Sequence, residues 1–182
     1  MKMQMTQTLR RSWLLIALAA ICTMPAWPQN ASQAAAKKPD PRAELVIEDA
    51  FEFIKREKRK YDVIMVDSTD PVGAAEVLFS NTFYDLCRSA LNPGGVLSLQ
   101  DGVVFLQPDE ARHSMQLLRK LGLKSRCYAI AVPTYYGGNM TLGLASDTLA
   151  ALQPDLATIE ARFKKANFNT VHYTPELHCA SF

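Results

Sequence analysis

The chain lacks any pronounced charge of one sign: its 182 residues carry 20 Lys+Arg against 18 Asp+Glu, a formal net charge of +2. So balanced a surface does not hold a polyanion by bulk electrostatics, which excludes nucleic acid as the main partner. A membrane-length hydrophobic run is also lacking. The most apolar stretch, Trp13 to Met24, stops at Pro25; as a helix it spans about 18 Å, well short of the ~30 Å hydrocarbon core of a bilayer. Cysteine is sparse and scattered. Cys22, Cys87, Cys127 and Cys179 form no CxxC pair and share no metal-ligand spacing with His113, His172 and His178, so no metal site is expected and free thiols in a reducing compartment are the plain reading. No repeat recurs at 20–50 residues, and no GxxxxGK[ST] phosphate loop is present.

What is present is distributed unevenly. Residues 1–38 hold five bases (Lys2, Arg10, Arg11, Lys37, Lys38) and no acid, leaving 15 bases against 18 acids in the remaining 144. Arg10-Arg11, the short apolar run and the small residues Ala31 and Ala34 to Ala36 have the layout of a secretory signal, or of a spurious apolar leader. Gln29 to Pro41 reads as a linker. The expected organisation is therefore a leader over 1–38 and a single domain over 39–182. The expected location is cytoplasmic, or exported if Arg10 to Met24 acts as a signal.

The domain alternates short apolar runs with amphipathic stretches. Ala43 to Ile47, Asp62 to Val66 and Val96 to Leu99 read as strands; Asp49 to Lys58, Thr82 to Ala90 and Pro108 to Gly122 read as helices. Asn92-Pro93-Gly94-Gly95 reads as a stop between elements. Lys124 to Val132 and Met140 to Ser146 suggest an antiparallel pair, followed by a last helix over Leu156 to Ala166. This order predicts an α/β fold, a parallel sheet with helices on both faces. Ligands of such sheets sit outside the carboxyl ends of the strands. Three of those ends are polar here, at Glu48-Asp49, Asp67 to Asp70 and Gln100-Asp101, and together they predict one acidic rim suited to a cationic ligand.

Asp67-Ser68-Thr69-Asp70-Pro71 closes an apolar strand with a carboxylate, as a Walker B segment does, but without a phosphate loop it is no nucleotide triphosphatase. Val63 to Pro71 with Val72-Gly73, Leu78-Phe79 and Phe83-Tyr84 instead closely resembles the spermidine synthases (polyamine aminopropyltransferases). Asn92 to Val96, Gln100-Asp101-Gly102, Pro133-Thr134-Tyr135-Tyr136-Gly137-Gly138 and Tyr173 to His178 follow in that family's order and spacing. The resemblance covers about Asp40 to Phe182. It implies the C-terminal portion of a Rossmann-like sheet of the S-adenosylmethionine-methyltransferase type, ending in an antiparallel strand pair. It also implies transfer of an aminopropyl group from decarboxylated S-adenosylmethionine to putrescine, giving spermidine, with that donor as co-substrate, no other cofactor and no metal. Homo-oligomers are usual in the family. By the same resemblance Asp67 is the proton acceptor; Asp67, Ser68, Thr69, Asp70, Gln100 and Tyr135 hold the polyamine; Asp49, Ala50 and Ala74 contact the adenosyl donor.

The residue types suit that chemistry. A protonated amine has no lone pair to attack with, and a carboxylate beside it can hold the ammonium and take its proton, worth roughly 10²–10⁴-fold in rate. The sequence also departs from the family. Ala74 and Val104 stand where proline is usual, and the family's N-terminal β-domain, glycine-rich turn and ribose-binding acid have no counterpart before Asp40. The expectation is a C-terminal half behind a foreign leader, with a non-catalytic remnant or an exported polyamine-binding protein as alternatives. Without the family's first strands, the runs around Val46 and Ile64 are expected to pair directly or to leave an open edge. The segment from Asp67 to Phe79 is expected to act as a mobile lid.

Overall fold

In the computed structural model the described residues are Met3–Thr6, Leu14–Ala19, 42–134, 136–153 and 155–182. They form β1 (Met3–Thr6), β2 (Leu14–Ala19), β3 (Val46–Glu48), α1 (Ala50–Arg56), β4 (Tyr61–Asp67), α2 (Asn81–Ala90) and β5 (Leu91–Gln100). Then come α3 (Pro108–Lys120), β6 (Lys124–Ala131), β7 (Asn139–Ser146), α4 (Leu156–Ala166) and α5 (Pro175–Ala180). The strands build one sheet in the order β3-β1-β2-β4-β5-β7-β6. Strands β2, β4 and β5 are parallel; β7 is antiparallel to both β5 and β6. The strand pair predicted for the end of the sheet is therefore present.

Local chemistry sets most helix boundaries. Asp49 caps α1, its carboxylate accepting the Glu52 N–H at 3.1 Å, with Glu52 in the first turn and Lys55 and Arg56 in the last, as the helix dipole favours. Ser80 caps α2 through the Phe83 N–H at 3.1 Å, and Pro108 opens α3 at a position that needs no donor. Asp155 caps α4 in the same way.

Alternation along the strands sorts the sheet into two faces. Ile64 and Val66 of β4 and Leu97 and Leu99 of β5 join Phe53, Ile54, Phe83, Tyr84, Met115 and Leu118 in one core under α1, α2 and α3. Burying each of these side chains fully stabilises the fold by roughly 1.5–3 kcal/mol. The opposite face carries α4 and α5: Val63, Val96 and Leu144 line a cavity with Ile159 and Phe163. Helices do cover both faces.

Four features depart from the sequence expectations. Asn92 to Gly95, read as a stop between elements, follows a helix that does end at Ala90 but lies inside the next strand rather than before it. It bulges out of β5, whose pairing with β4 jumps from Tyr61–Leu91 to Val63–Val96. A Cβ on Gly95 would lie 2.8 Å from the Asn92 carbonyl, so only glycine closes this bulge. The edge of β4 is neither open nor paired to β3. The apolar run assigned to the leader supplies β2, which pairs with β4 from Leu14–Val63 to Leu18–Asp67, and β1 bridges β2 to β3. A fifth helix, α5, follows α4; Thr174 caps it through the Leu177 N–H at 3.1 Å and Pro175 opens it. Finally, the second half of the segment expected to act as a lid is a regular element, which the sequence reading does not foresee. A 3-10 helix spans Gly73–Phe79 and buries Ala75, Leu78 and Phe79. Among the described residues no helix is long and apolar enough to cross a membrane.

Candidate active site

The carboxyl ends of β3, β4 and β5 all open on one rim, since two antiparallel steps through β1 return β3 to the direction of β2. Asp67 ends β4 and follows the inward-facing Val66, so it occupies the α4 face. Its carboxyl makes no hydrogen bond or ion pair among the described residues, and partial burial raises it above the usual carboxylate range. The β4–β5 register runs through Val66–Leu99; one further step sets Asp67 beside Gln100 on the same face. Gln100 is only 3% exposed, and its Oε1 is buried without a hydrogen-bond partner among the described residues. An orphaned buried acceptor costs roughly 1–3 kcal/mol, and a donor on a ligand would remove that cost.

Asp70 lies elsewhere. Ser68 and Thr69 are half-buried, and the Val72 N–H donates to the Asp70 carbonyl at 2.7 Å, closing a tight turn. That turn sends the exposed Asp70 towards the start of α3, the helix on the other face. There the Gln107 amide donates from Nε2 to Asp70 Oδ2 at 3.1 Å and to Glu110 Oε1 at 2.8 Å, while its Oε1 accepts the Val103 N–H at 3.1 Å. The two acids expected to hold the amine thus differ in their surroundings among the described residues: Asp67 is bare and Asp70 is tethered.

Behind the tether lies a second layer of acid. Glu110 is raised by burial first and by the Asp70 charge second, with the Gln107 hydrogen bond acting the other way. Asp101 is wholly buried. Desolvation pushes it up to about 7, the Glu110 charge adds to this and nearby Ser114 opposes it. Neither carboxyl oxygen of Asp101 has a hydrogen bond of ordinary length among the described residues, and the nearby Ser114 Oγ shares a hydrogen bond with Tyr84 Oη at 3.0 Å.

The donor-side positions stand apart. Asp49 spends one oxygen on capping α1, Ala50 is buried in the core, and Ala74 is exposed on the 3-10 helix. Strands β1 and β2 separate β3 from β4, so Asp49 stands three strand spacings, or about 14 Å, from Asp67 along the rim. Tyr135, expected to face the amine, lies outside the described residues. Gln107 and Glu110 were not singled out from the sequence. Their i, i+3 spacing at a helix start was a visible signal for each other, but nothing local pointed to Asp70, 37 positions away. Among the described residues no group of three or more His, Cys, Asp or Glu is arranged to hold a metal.

A parallel-cored sheet with helices on both faces and carboxylates at the strand ends defines an α/β protein of the class whose ligands sit at the carboxyl rim. Residues 27–154 match the spermine/spermidine synthase domain. The polyamine aminopropyltransferases of Ruegeria sp. (strain TM1040) and Klebsiella pneumoniae (strain 342) are each 46% identical over 143 residues, 79% of this chain and 50% of theirs. A spermidine synthase crystallised with the transition-state analogue AdoDATO superposes with a TM-score of 0.71 at 32% identity, over 79% of this chain and 48% of that one. The spermidine synthase of Thermotoga maritima gives 0.66 at 29% identity, over 79% and 46%. The chain belongs to the spermine/spermidine synthase family, and it spans about half the length of the curated relatives it matches.

Proposed function

We propose that this chain carries the amine-activating part of an aminopropyltransferase site, which moves the aminopropyl group of decarboxylated S-adenosylmethionine onto putrescine. The observation that carries the reading is the Asp67–Gln100 pair: a carboxylate without a partner beside a buried amide oxygen without a donor, on adjacent strands at the rim. An ammonium supplies what both lack, charge for one and N–H for the other.

In this reading Asp67 holds the reacting ammonium and accepts its proton. The freed nitrogen lone pair forms the new N–C bond while the C–S bond breaks, its electron pair neutralising the donor's sulfonium. The sulfonium is itself the leaving group, so the step requires neither metal nor resident cofactor. Partial desolvation makes Asp67 a better base than a solvated aspartate. Ser68, Thr69 and Tyr135 line the alkyl chain, Asp70 receives the charge of the amine, and Asp49, Ala50 and Ala74 meet the adenosyl group. The free thiols of Cys87 and Cys127 suit a reducing compartment such as the cytoplasm.

The test is titration calorimetry of the full chain with putrescine, together with a product assay with putrescine and decarboxylated S-adenosylmethionine. Binding that weakens in Asp67→Asn and in high salt, with spermidine and methylthioadenosine formed in equal amounts, supports the reading. Equal affinity in wild type and Asp67→Asn sinks it.

A further inference from the structure

Gln107 has every polar group of its amide committed, and to unusual partners. Both Nε2 hydrogens go to carboxylates, Asp70 Oδ2 and Glu110 Oε1, and Oε1 takes the Val103 N–H. The amide has only one tolerable orientation. Turned over, its oxygen would face two carboxylates and its N–H₂ would face another N–H. Val103, the last anchor of this arrangement, is 3% exposed, and the Leu106 and Gln107 N–H groups both bond its carbonyl, at 2.8 and 2.7 Å. The clamp is therefore fixed to the end of β5 and the start of α3, and Asp70, on the turn after β4, is the partner it holds.

The backbone beneath is built to admit it. Gly102 has φ +69°, and a Cβ there would lie 2.7 Å from Glu110 Oε2 and 2.9 Å from Gln107 Oε1. The Asp70 oxygen that Gln107 does not engage has no hydrogen bond among the described residues. Asp70 is thereby presented with one oxygen held and one free.

We propose that Gln107 is a positioning residue, whose carboxamide, steadied by Glu110, holds Asp70 in the orientation that receives an amine. This rests on the amine-site reading of Asp67 and Asp70 given above. Asp70 follows the tight turn after Thr69 and is exposed; without the clamp nothing among the described residues ties its carboxylate to the rigid sheet. A carboxylate free to rotate must be ordered when the amine arrives, and that ordering lowers affinity.

Glu110 reports on the clamp independently of function. The groups around it are Asp70 on the turn, Asp101 at the end of β5, Gln107, Asp109, Arg112 and His113 on its own helix, and Glu76 across a shared groove. Among these, Asp70 raises Glu110 and the Gln107 hydrogen bond lowers it. Removing the amide should raise the Glu110 midpoint, and Asp70→Asn should lower it.

The experiment uses the full chain, its Gln107→Met variant of similar volume, Gln107→Ala as a second variant, and Asp70→Asn. ¹³C NMR follows the Glu110 carboxyl through a pH titration, and calorimetry follows binding with putrescine as the probe. Thermal unfolding confirms that each variant is folded. The expected result is a raised Glu110 midpoint in both Gln107 variants, a lowered one in Asp70→Asn, and putrescine affinity about tenfold weaker without the amide. An unmoved Glu110 midpoint in a folded Gln107 variant overturns the clamp, whatever happens to binding. A moved midpoint with unchanged putrescine affinity overturns the positioning role while leaving the amine site intact. A moved midpoint in a chain that binds no putrescine in any form overturns the amine-site reading, and the positioning role with it, leaving a structural hydrogen bond.

Discussion

The two faces of the sheet are built on different terms. Under α1, α2 and α3, Ile64, Leu97 and Leu118 are completely buried, and even the acids of that side are enclosed or tied: Asp101 has no exposure and Asp70 reaches Glu110 through one amide. Beneath α4 and α5 the cover is looser. Met65 is 38% exposed and Phe168 66%, and Asp67 stands at the rim without a partner among the described residues. Asp67 and Asp70 are three residues apart, yet one belongs to each regime. The difference teaches that a carboxylate kept unpaired at a strand end offers both oxygens, whereas one tied to the packed side offers a single oxygen in a fixed orientation.

The largest effect expected from breaking this contrast is on turnover. In the aminopropyl-transfer assay, Asp67→Asn should cost roughly 10²–10⁴-fold in kcat by removing the proton acceptor. Asp70→Asn should act mainly on the KM for putrescine. Equal losses of kcat from both substitutions would erase the distinction between bare and tethered acid.

Packing should show the same asymmetry. Leu97→Ala, on the enclosed face, should lower unfolding free energy by about 2–5 kcal/mol in denaturant melts. Met65→Ala, on the looser face, should cost about 1 kcal/mol because over a third of that side chain is already in water. Comparable losses would show that the two faces are packed alike.

A third measurement sharpens the electrostatic side. Asp101 is raised to about 7 in the folded chain by burial, whereas an unfolded aspartate titrates near 4. The folded state then holds the proton more tightly, so this group's stabilising contribution is fully present below about pH 4 and is lost as pH rises towards 7, about 1.4 kcal/mol for each unit of separation. Asp101→Asn should flatten that part of the stability profile in melts at pH 5 and pH 8. A wild-type profile that rises over this window by the same amount as the variant's would place Asp101 in a solvated setting.

The smallest effect concerns the looser face alone. Thr174→Ala removes the cap of α5 and should lower stability by about 1 kcal/mol, read as a small downward shift of the thermal midpoint.

Several elements could be read from the residues because their signals are local. Asp49, Ser80 and Pro108 mark helix starts, the β-branched run of β4 marks a doubly covered strand, and alternating strands and helices fix a sheet whose carboxyl rim is polar. Asp67 and Gln100 were visible as site candidates for the same reason: each ends an apolar strand. The first turn of α5 is equally local, since Thr174-Pro175 is a capped helix start, but a six-residue segment is too short to show a helical period.

Other features are set by partners distant in the chain. A six-residue apolar run such as Leu14–Ala19 suits a leader, a helix turn or a strand, and only the unfilled backbone hydrogen bonds along β4 make it a strand here. Asn92 to Gly95 carries every mark of a turn, yet pairing on both sides absorbs it as a bulge. The residue types of the rim, and so its acidic character, were determined by sequence alone. Which carboxylate stays bare and which is held was decided by tertiary structure, because the Gln107 amide meets Asp70 only after β5 and α3 have packed, and hydrogen bonds join neighbours in space whatever their separation in sequence.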